Sequence, residues 1–284
     1  MIAAARQARG PHQELQARNW RVMDLYERGD MPACREEIVR HARMADELRL
    51  PSFRWYTPLW AATEAALDGR WAEAERLRLE AQEAGERAGD RNAWLFSAMV
   101  EQIIQAQRGE VEQTDFAFIE DKIANSAAGP AYRSALVWIL AGLGRPDEAR
   151  AHLDAWVRDE LAFDANWMSA HAEVAEGIGI LGDPTHAQLV YDRLLPYSGR
   201  PATAGRAVVS YGSVDRYLGG LAAVLGRRDD AIGHLRAAND HNAALGCTVW
   251  RLHGQRRLLE LEPDDALAAE VAATAQALDL PQPA

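Results

Sequence analysis

The sequence predicts an all-α fold, a superhelical array (solenoid) of short helix pairs, and three observations predict it. Residues 211–235, YGSVDRYLGGLAAVLGRRDDAIGHL, read as two amphipathic helices around a glycine turn. The same plan recurs along the chain at similar spacing. The composition is 48% apolar and rich in Ala, Leu, Arg and Glu, which favours helices. Runs of alternating Val, Ile and Thr are nearly absent, so no strands are expected.

The unit at 211–235 shows how each part works. Tyr217, Leu218, Leu221, Ala222 and Leu225 are spaced to share one helical face. Gly226 ends that helix, because a residue without a Cβ takes the left-handed conformation of a C′ position. Asp229 and Asp230 open the next helix, where acidic groups suit the positive end of the dipole. Ala231 and Leu235, four apart, face back onto the first helix. One such pair cannot bury its own apolar faces, so it needs neighbours.

The turn glycine recurs at Gly29, Gly69, Gly109, Gly144, Gly182 and Gly226, with gaps of 40, 40, 35, 38 and 44 residues. Five positions after it stand Cys34, Ala74, Thr114, Ala149, Ala187 and Ala231. Nine positions after it stand Ile38, Arg78, Phe118, Leu153, Tyr191 and Leu235; at the polar exception, Leu77 lies one residue early. Small residues where helices cross, and large ones between pairs, are what close packing demands.

In order, helix pairs are expected at about 12–47, 52–88, 91–126, 130–160, 166–196 and 213–245, with a capping pair over 249–278. Arg251, Arg256, Arg257, Glu260, Asp264 and Asp265 give that last pair the polar face a terminal repeat needs. DLPQPA reads as a frayed end. The chain is treated as one helical-repeat domain, 1–284. Residues 197–212, with three glycines, form the longest connection, beyond the usual reach of a helix-to-helix link.

Composition excludes several classes. A net charge of −11 argues against direct nucleic-acid binding, which needs clustered Lys and Arg. Two cysteines make neither a disulfide framework nor a four-ligand zinc site. MIAAARQARG lacks the apolar core of a signal peptide, and no apolar run is long enough to span a membrane. The expected setting is cytoplasmic.

Catalytic motifs are few. Gly177, Gly179 and Gly182 fall in G-x-G-x-x-G order, but they end a helix rather than open one, so a structural role is preferred to dinucleotide binding. GxxxxGK[ST], HExxH, GxSxG and CxxC are absent. His234 and His241, seven apart with Asp230 a turn earlier, lack a third ligand and read as a solvated face rather than a metal site. Cys34 reads as a small packing residue. Cys247, near a helix start, has no adjoining His and reads as inert. No cofactor, metal or catalytic residue is assigned.

The helix pairs, with a small residue in the second helix and a large one four later, resemble the tetratricopeptide family over roughly residues 12–245. The period is longer than that family's, and its Trp and Pro positions are mostly missing, so these are degenerate tetratricopeptide-like repeats. LLPYSGRPATAGRAVVSYGSVDRYLGGLAAVLGRRDDAIGHL further resembles the C-terminal helical arm of large bacterial ATP-binding transcriptional regulators similar to the maltose-regulon activator. No ATP-binding or DNA-binding part is evident beside it. The resemblance implies a non-catalytic sensor or docking arm in a regulatory system.

In that family, the positions 13, 10 and 6 before the turn glycine face the concave wall. Carried over residue by residue, the resemblance implies a groove of Asn19, Met23, Tyr56, Thr63, Phe96, Met99, Ile103, Ser134, Trp138, Glu176 and Arg216. Such a wall, largely apolar with a few polar groups, suits a protein partner or a small effector; the other reading makes some of these residues plain core. Trp20 and Trp60 occupy equivalent positions and read as packing. Arg200 and Arg206, among glycines in the long connection, could dock an anion or a partner's carboxylate, or simply be solvated. The expected function is a binding arm for a protein partner. The alternative is a small-molecule sensor pocket inside the superhelix. An enzyme on a helical scaffold comes third, and a tight Glu–His or Asp–His pair in the groove would raise it.

Overall fold

A computed structural model describes residue 2 and residues 10–110, 114–126, 128–159 and 161–280. The reading of residues 1–10 as lacking a signal peptide falls mostly outside the described residues, as do the last four residues of the tail.

The chain is mostly helical. Its helices are α1 (Pro11–Glu27), α2 (Met31–Glu47), α3 (Pro51–Arg54), α4 (Tyr56–Leu67), α5 (Trp71–Arg87), α6 (Asn92–Arg108), α7 (Phe116–Asn125), α8 (Gly129–Gly142), α9 (Pro146–Arg158), α10 (Trp167–Leu181), α11 (Pro184–Leu194), α12 (Val214–Val224), α13 (Arg228–Leu245), α14 (Thr248–Leu261) and α15 (Asp265–Ala277). These match the expected pairs to within a few residues. Among the described residues, no helix is long and apolar enough to cross a membrane.

The turn glycines do what their position demands. All six have positive φ, between 59° and 76°. At Gly29, the glycine N–H bonds Tyr26 O at 2.8 Å and the next N–H, of Asp30, reaches back to Leu25 O at 3.0 Å. The same two bonds recur at Gly69, Gly109, Gly144 and Gly226. They satisfy carbonyls that the helix end leaves open. The second helix then starts on a cap: Asp30, Asp115 and Asp183 each accept a hydrogen bond from a backbone N–H of the first turn.

Five of the six small positions pack as expected: Cys34, Ala74, Ala149, Ala187 and Ala231 are buried. The sixth, Thr114, is half-buried and lies before the start of α7. At the polar exception, the side chain that goes in is Arg78 rather than Leu77. Its guanidinium is held by Glu75, by Glu101 at 3.1 Å and by the Ser97 hydroxyl at 3.2 Å. A buried cation with this many partners is compensated.

The expectation of no strands is corrected. Residues 197–212 are not a plain loop: after a short 3₁₀ turn they form a two-stranded hairpin, β1 (Pro201–Ala204) and β2 (Val209–Ser213). Both strands are buried along their whole length. That explains why the sequence hides them: strands covered on both faces lose the alternation by which a strand is read.

By its contacts the chain divides into two compact units. The first comprises the described residues of Met1–Ile104 together with Thr203–Ser210, the far end of the hairpin. The second comprises Gln105–Ala202 and the described residues of Tyr211–Ala284. In the first, α1 packs on α2 and α4 on α5. Trp55 stacks on Tyr56 with ring centres 4.0 Å apart, and its indole N–H donates to Asp90. In the second, α8 packs on α10 and α10 on α12, so first helices of successive pairs lie side by side. Gly177 lets α10 approach α8, since a Cβ there would stand 2.7 Å from Val137 Cγ1. Gly182 ends α10 in the left-handed region, so the G-x-G-x-x-G run serves helix packing and a helix end.

Candidate functional site

In the first unit, α1, α4 and α6 hold the tip of the hairpin in an aromatic cradle. Gly205, Arg206 and Ala207 are three successive residues at positive φ, of 59°, 67° and 60°. That is a sharp turn, and it costs energy at the two residues that carry a Cβ. The wall offsets the cost. The Arg206 guanidinium lies 5.2 Å from the Trp20 ring centre and 5.7 Å from that of Tyr56. It also donates to the Tyr56 hydroxyl at 2.7 Å. Backbone is read as well: the Trp60 indole N–H donates to Arg206 O at 3.1 Å, and the Thr63 hydroxyl donates to Val208 O. The Thr203 hydroxyl donates to Glu27 at 3.1 Å. A Cβ on Gly205 would sit 3.5 Å from Phe96 Cε1 and 3.6 Å from Met99 Cε, so both side chains close on the turn. Ile103 lines the same face against Val208 and Val209. Met23 and Asn19 are buried on α1, and both amide atoms of Asn19 lack a partner among the described residues. Burial and the nearby Asp90 push the Tyr56 phenol up to about 12 against the pull of Arg206, so it stays a neutral donor and acceptor.

In the second unit, Ser134, Glu176 and Arg216 join a polar cluster between α8, α10, α12 and α14. Glu173 is buried; it accepts from the Ser134 hydroxyl at 2.6 Å and from the Tyr211 hydroxyl at 2.5 Å. Burial pushes its carboxyl up to about 7, against those two donors. Beside it, Arg216 donates through Nη1 to Glu176 at 2.8 Å, and Arg257 lies 3.7 Å from the same carboxylate. Burial opposes the charge of Glu176, but Arg216 and Arg257 outweigh it and hold the carboxyl below its usual range. The Arg216 guanidinium stacks over Tyr217 at 4.3 Å and Trp250 at 4.6 Å. His253 donates to Gln107 Oε1 at 2.6 Å, and burial beside Arg216 pushes its pKa down to about 3. Trp138 is half-buried on α8, and Arg200 is exposed. Of the two connection arginines, only Arg206 meets the aromatic wall.

The expected groove is therefore divided: Asn19, Met23, Tyr56, Thr63, Phe96, Met99 and Ile103 belong to the first unit, Ser134, Trp138, Glu176 and Arg216 to the second; of the two connection arginines, Arg206 falls in the first and Arg200 in the second. Sequence reasoning missed Trp20, Trp60, Glu173 and Tyr217 as members of these sites. All four stand nine before a turn glycine. Positions 13, 10, 9 and 6 before it complete an i, i+3, i+4, i+7 face, so the missing signal was one helical position.

The two histidines set aside as a solvated face are both engaged. His234 donates through Nδ1 to Asp215 at 2.9 Å, and its Nε2 meets the Tyr191 hydroxyl at 3.0 Å. His241 Nδ1 lies 3.2 Å from the Ser213 hydroxyl. Asp215 also accepts from the Ser198 hydroxyl and the Gly199 N–H, so the Asp–His pair ties the chain before the hairpin to α12 and α13. Among the described residues, no group of three or more His, Cys, Asp and Glu stands together so as to hold a metal ion. Cys34 and Cys247 are buried thiols, and burial pushes the Cys34 thiol up to about 12, where it is a poor nucleophile. No protein-family model, no curated protein and no solved structure matches this chain.

Proposed function

We propose that this chain is a non-catalytic binding arm: a superhelix of degenerate tetratricopeptide-like pairs that takes a segment of a protein partner against its inner helices. The hold on the hairpin tip carries the reading. In the first unit, a helical wall grips a tight turn by an arginine between aromatic rings and by two of its backbone carbonyls. The same contacts, aromatic faces on a cation and donors aimed at backbone carbonyls, would hold a partner's peptide. A partner segment that presents an arginine at a sharp turn would take the place of the hairpin tip in this cradle. Successive first helices side by side in the second unit support the superhelix. The resemblance to regulator arms supports a regulatory, cytoplasmic setting.

The test uses a synthetic peptide with the sequence of residues 200–213. It is titrated into a variant whose residues 204–207 are replaced by Asn-Gly, which vacates the cradle in a chain verified as folded by circular dichroism. The peptide should bind saturably, and a peptide carrying Arg206→Ala should bind at least about tenfold more weakly. Failure of the unmodified peptide to bind the folded variant would sink the reading.

One observation favours the second reading, a small-effector sensor: the buried Arg216 has donors without hydrogen-bond partners among the described residues.

A further inference from the structure

Arg216 is 3% exposed, yet its Nε and Nη2 have no hydrogen-bond partner among the described residues. Nη1 is engaged on Glu176, and the Tyr217 hydroxyl also interacts with the guanidinium. The two open donors are not a random pair. Nε–H and the Nη2–H beside it point in parallel along one edge of the guanidinium, and that edge binds both oxygens of a carboxylate side-on. The faces of the group are already covered by Tyr217 and Trp250, so the open edge is what remains for recognition.

Charge points the same way. Arg216 and Arg257 share one carboxylate, Glu176. His253, packed beside them, is held neutral by burial and by these cations. The two guanidinium groups thus have one ion-paired carboxylate between them among the described residues, and Arg216 sits in a low-dielectric setting where an incompletely matched cation is costly. Arg257 reaches the cluster across backbone kept bare of side chains: a Cβ on Gly179 would stand 2.8 Å from its Nη2, and one on Gly220 3.6 Å from its Nη1. Glu176 and Arg257 keep 19% and 23% side-chain exposure, so solvent reaches those two members of the cluster, while Nε and Nη2 of Arg216 are shut off from it.

We propose that the open edge of Arg216 is the anchor of a buried site for a small carboxylate ligand, which pairs with it bidentately and supplies a second carboxylate to the two guanidinium groups. This names the ligand class of the effector reading and does not depend on peptide binding in the first unit, so either can fail alone.

The test titrates the full chain with acetate, pyruvate and succinate at constant ionic strength, with chloride and phosphate as controls. Thermal shift and the ¹⁵N-labelled arginine Nε–H resonances are the readouts. At least one carboxylate should raise the melting temperature saturably and displace the Arg216 Nε–H signal, with no matching response to chloride or phosphate. Arg216→Lys keeps the charge and loses the edge, so it should weaken binding at least about tenfold. Arg21→Lys, in the other unit, should leave it unchanged. If Arg216→Lys does not fold, the wild-type Nε–H displacement alone decides. Equal responses to all the anions, meaning an adventitious ion only, or no saturable carboxylate binding, would overturn the proposal.

Discussion

Glu173 sits between a serine and a tyrosine with no cation bonded to it among the described residues, so its protonation is tied to the fold. Its carboxyl is pushed by burial from the ordinary 4.5 to about 7. The folded chain therefore holds a proton that the unfolded chain releases above about pH 4.5. Stability from this group is fullest below that value, falls as pH rises, and is lost above about 7. When protonated, Glu173 can donate to Ser134, whose own proton goes to Ala131 O at 2.6 Å. The buried histidines act in the opposite sense. Burial lowers His41 and His171 to about 4 and His253 to about 3, so each destabilises the fold as pH drops below the ordinary 6.5. The total curve mixes both, and a difference separates them. Relative to Glu173→Gln, the wild type should gain about 2–3 kcal/mol of unfolding free energy between pH 8 and pH 5. Urea titrations at each pH give that difference; a flat one would show that Glu173 is not held in this environment.

Helix ends show most plainly how far sequence reaches at the scale of an element. Six first helices end at a glycine whose φ is positive, and each of those ends was legible because the residue type is what the conformation requires. The end of α2 was not marked that way. Arg49 occupies the same left-handed position at φ 50°, with the same pair of bonds, its N–H to Asp46 O at 3.1 Å and that of Leu50 to Ala45 O at 3.0 Å. Its side chain is exposed, so it has little to lose. Arg49→Gly should stabilise the chain by about 0.5–1 kcal/mol, relief of the left-handed strain exceeding the added freedom of the unfolded state. Chemical denaturation checks it, and a loss of stability would mean that the Arg49 side chain contributes more than its position suggests. The hairpin was illegible for another reason. Pro201, Ala202, Thr203 and Ala204 carry no strand pattern, because packing on both faces, not local preference, makes them a strand. The candidate sites were half legible: the face at 13, 10 and 6 before each glycine found Tyr56, Thr63, Glu176 and Arg216, while its fourth line, through Trp20, Trp60, Glu173 and Tyr217, was passed over. The hairpin's use of that wall depends on contacts distant in sequence, which periodicity cannot report.

For the whole molecule, a binding arm needs a wall that recognises another segment by chemistry rather than by bulk apolar contact. The cradle in the first unit offers the place to measure this, because the chain already supplies a segment. Arg206 and Tyr56 are 150 residues apart in sequence, and they meet through a hydrogen bond of 2.7 Å and a stacked cation. If the wall recognises the arginine, the two side chains are energetically coupled; if the tip is only packed bulk, their substitutions add independently. The measurement is a double-mutant cycle on urea unfolding with Arg206→Met, which keeps length and removes charge, and Tyr56→Phe, which removes only the hydroxyl. Specific recognition predicts a coupling of about 1 kcal/mol or more between them. A coupling indistinguishable from zero, with both single variants folded, would contradict the claim that this wall reads an arginine at a turn.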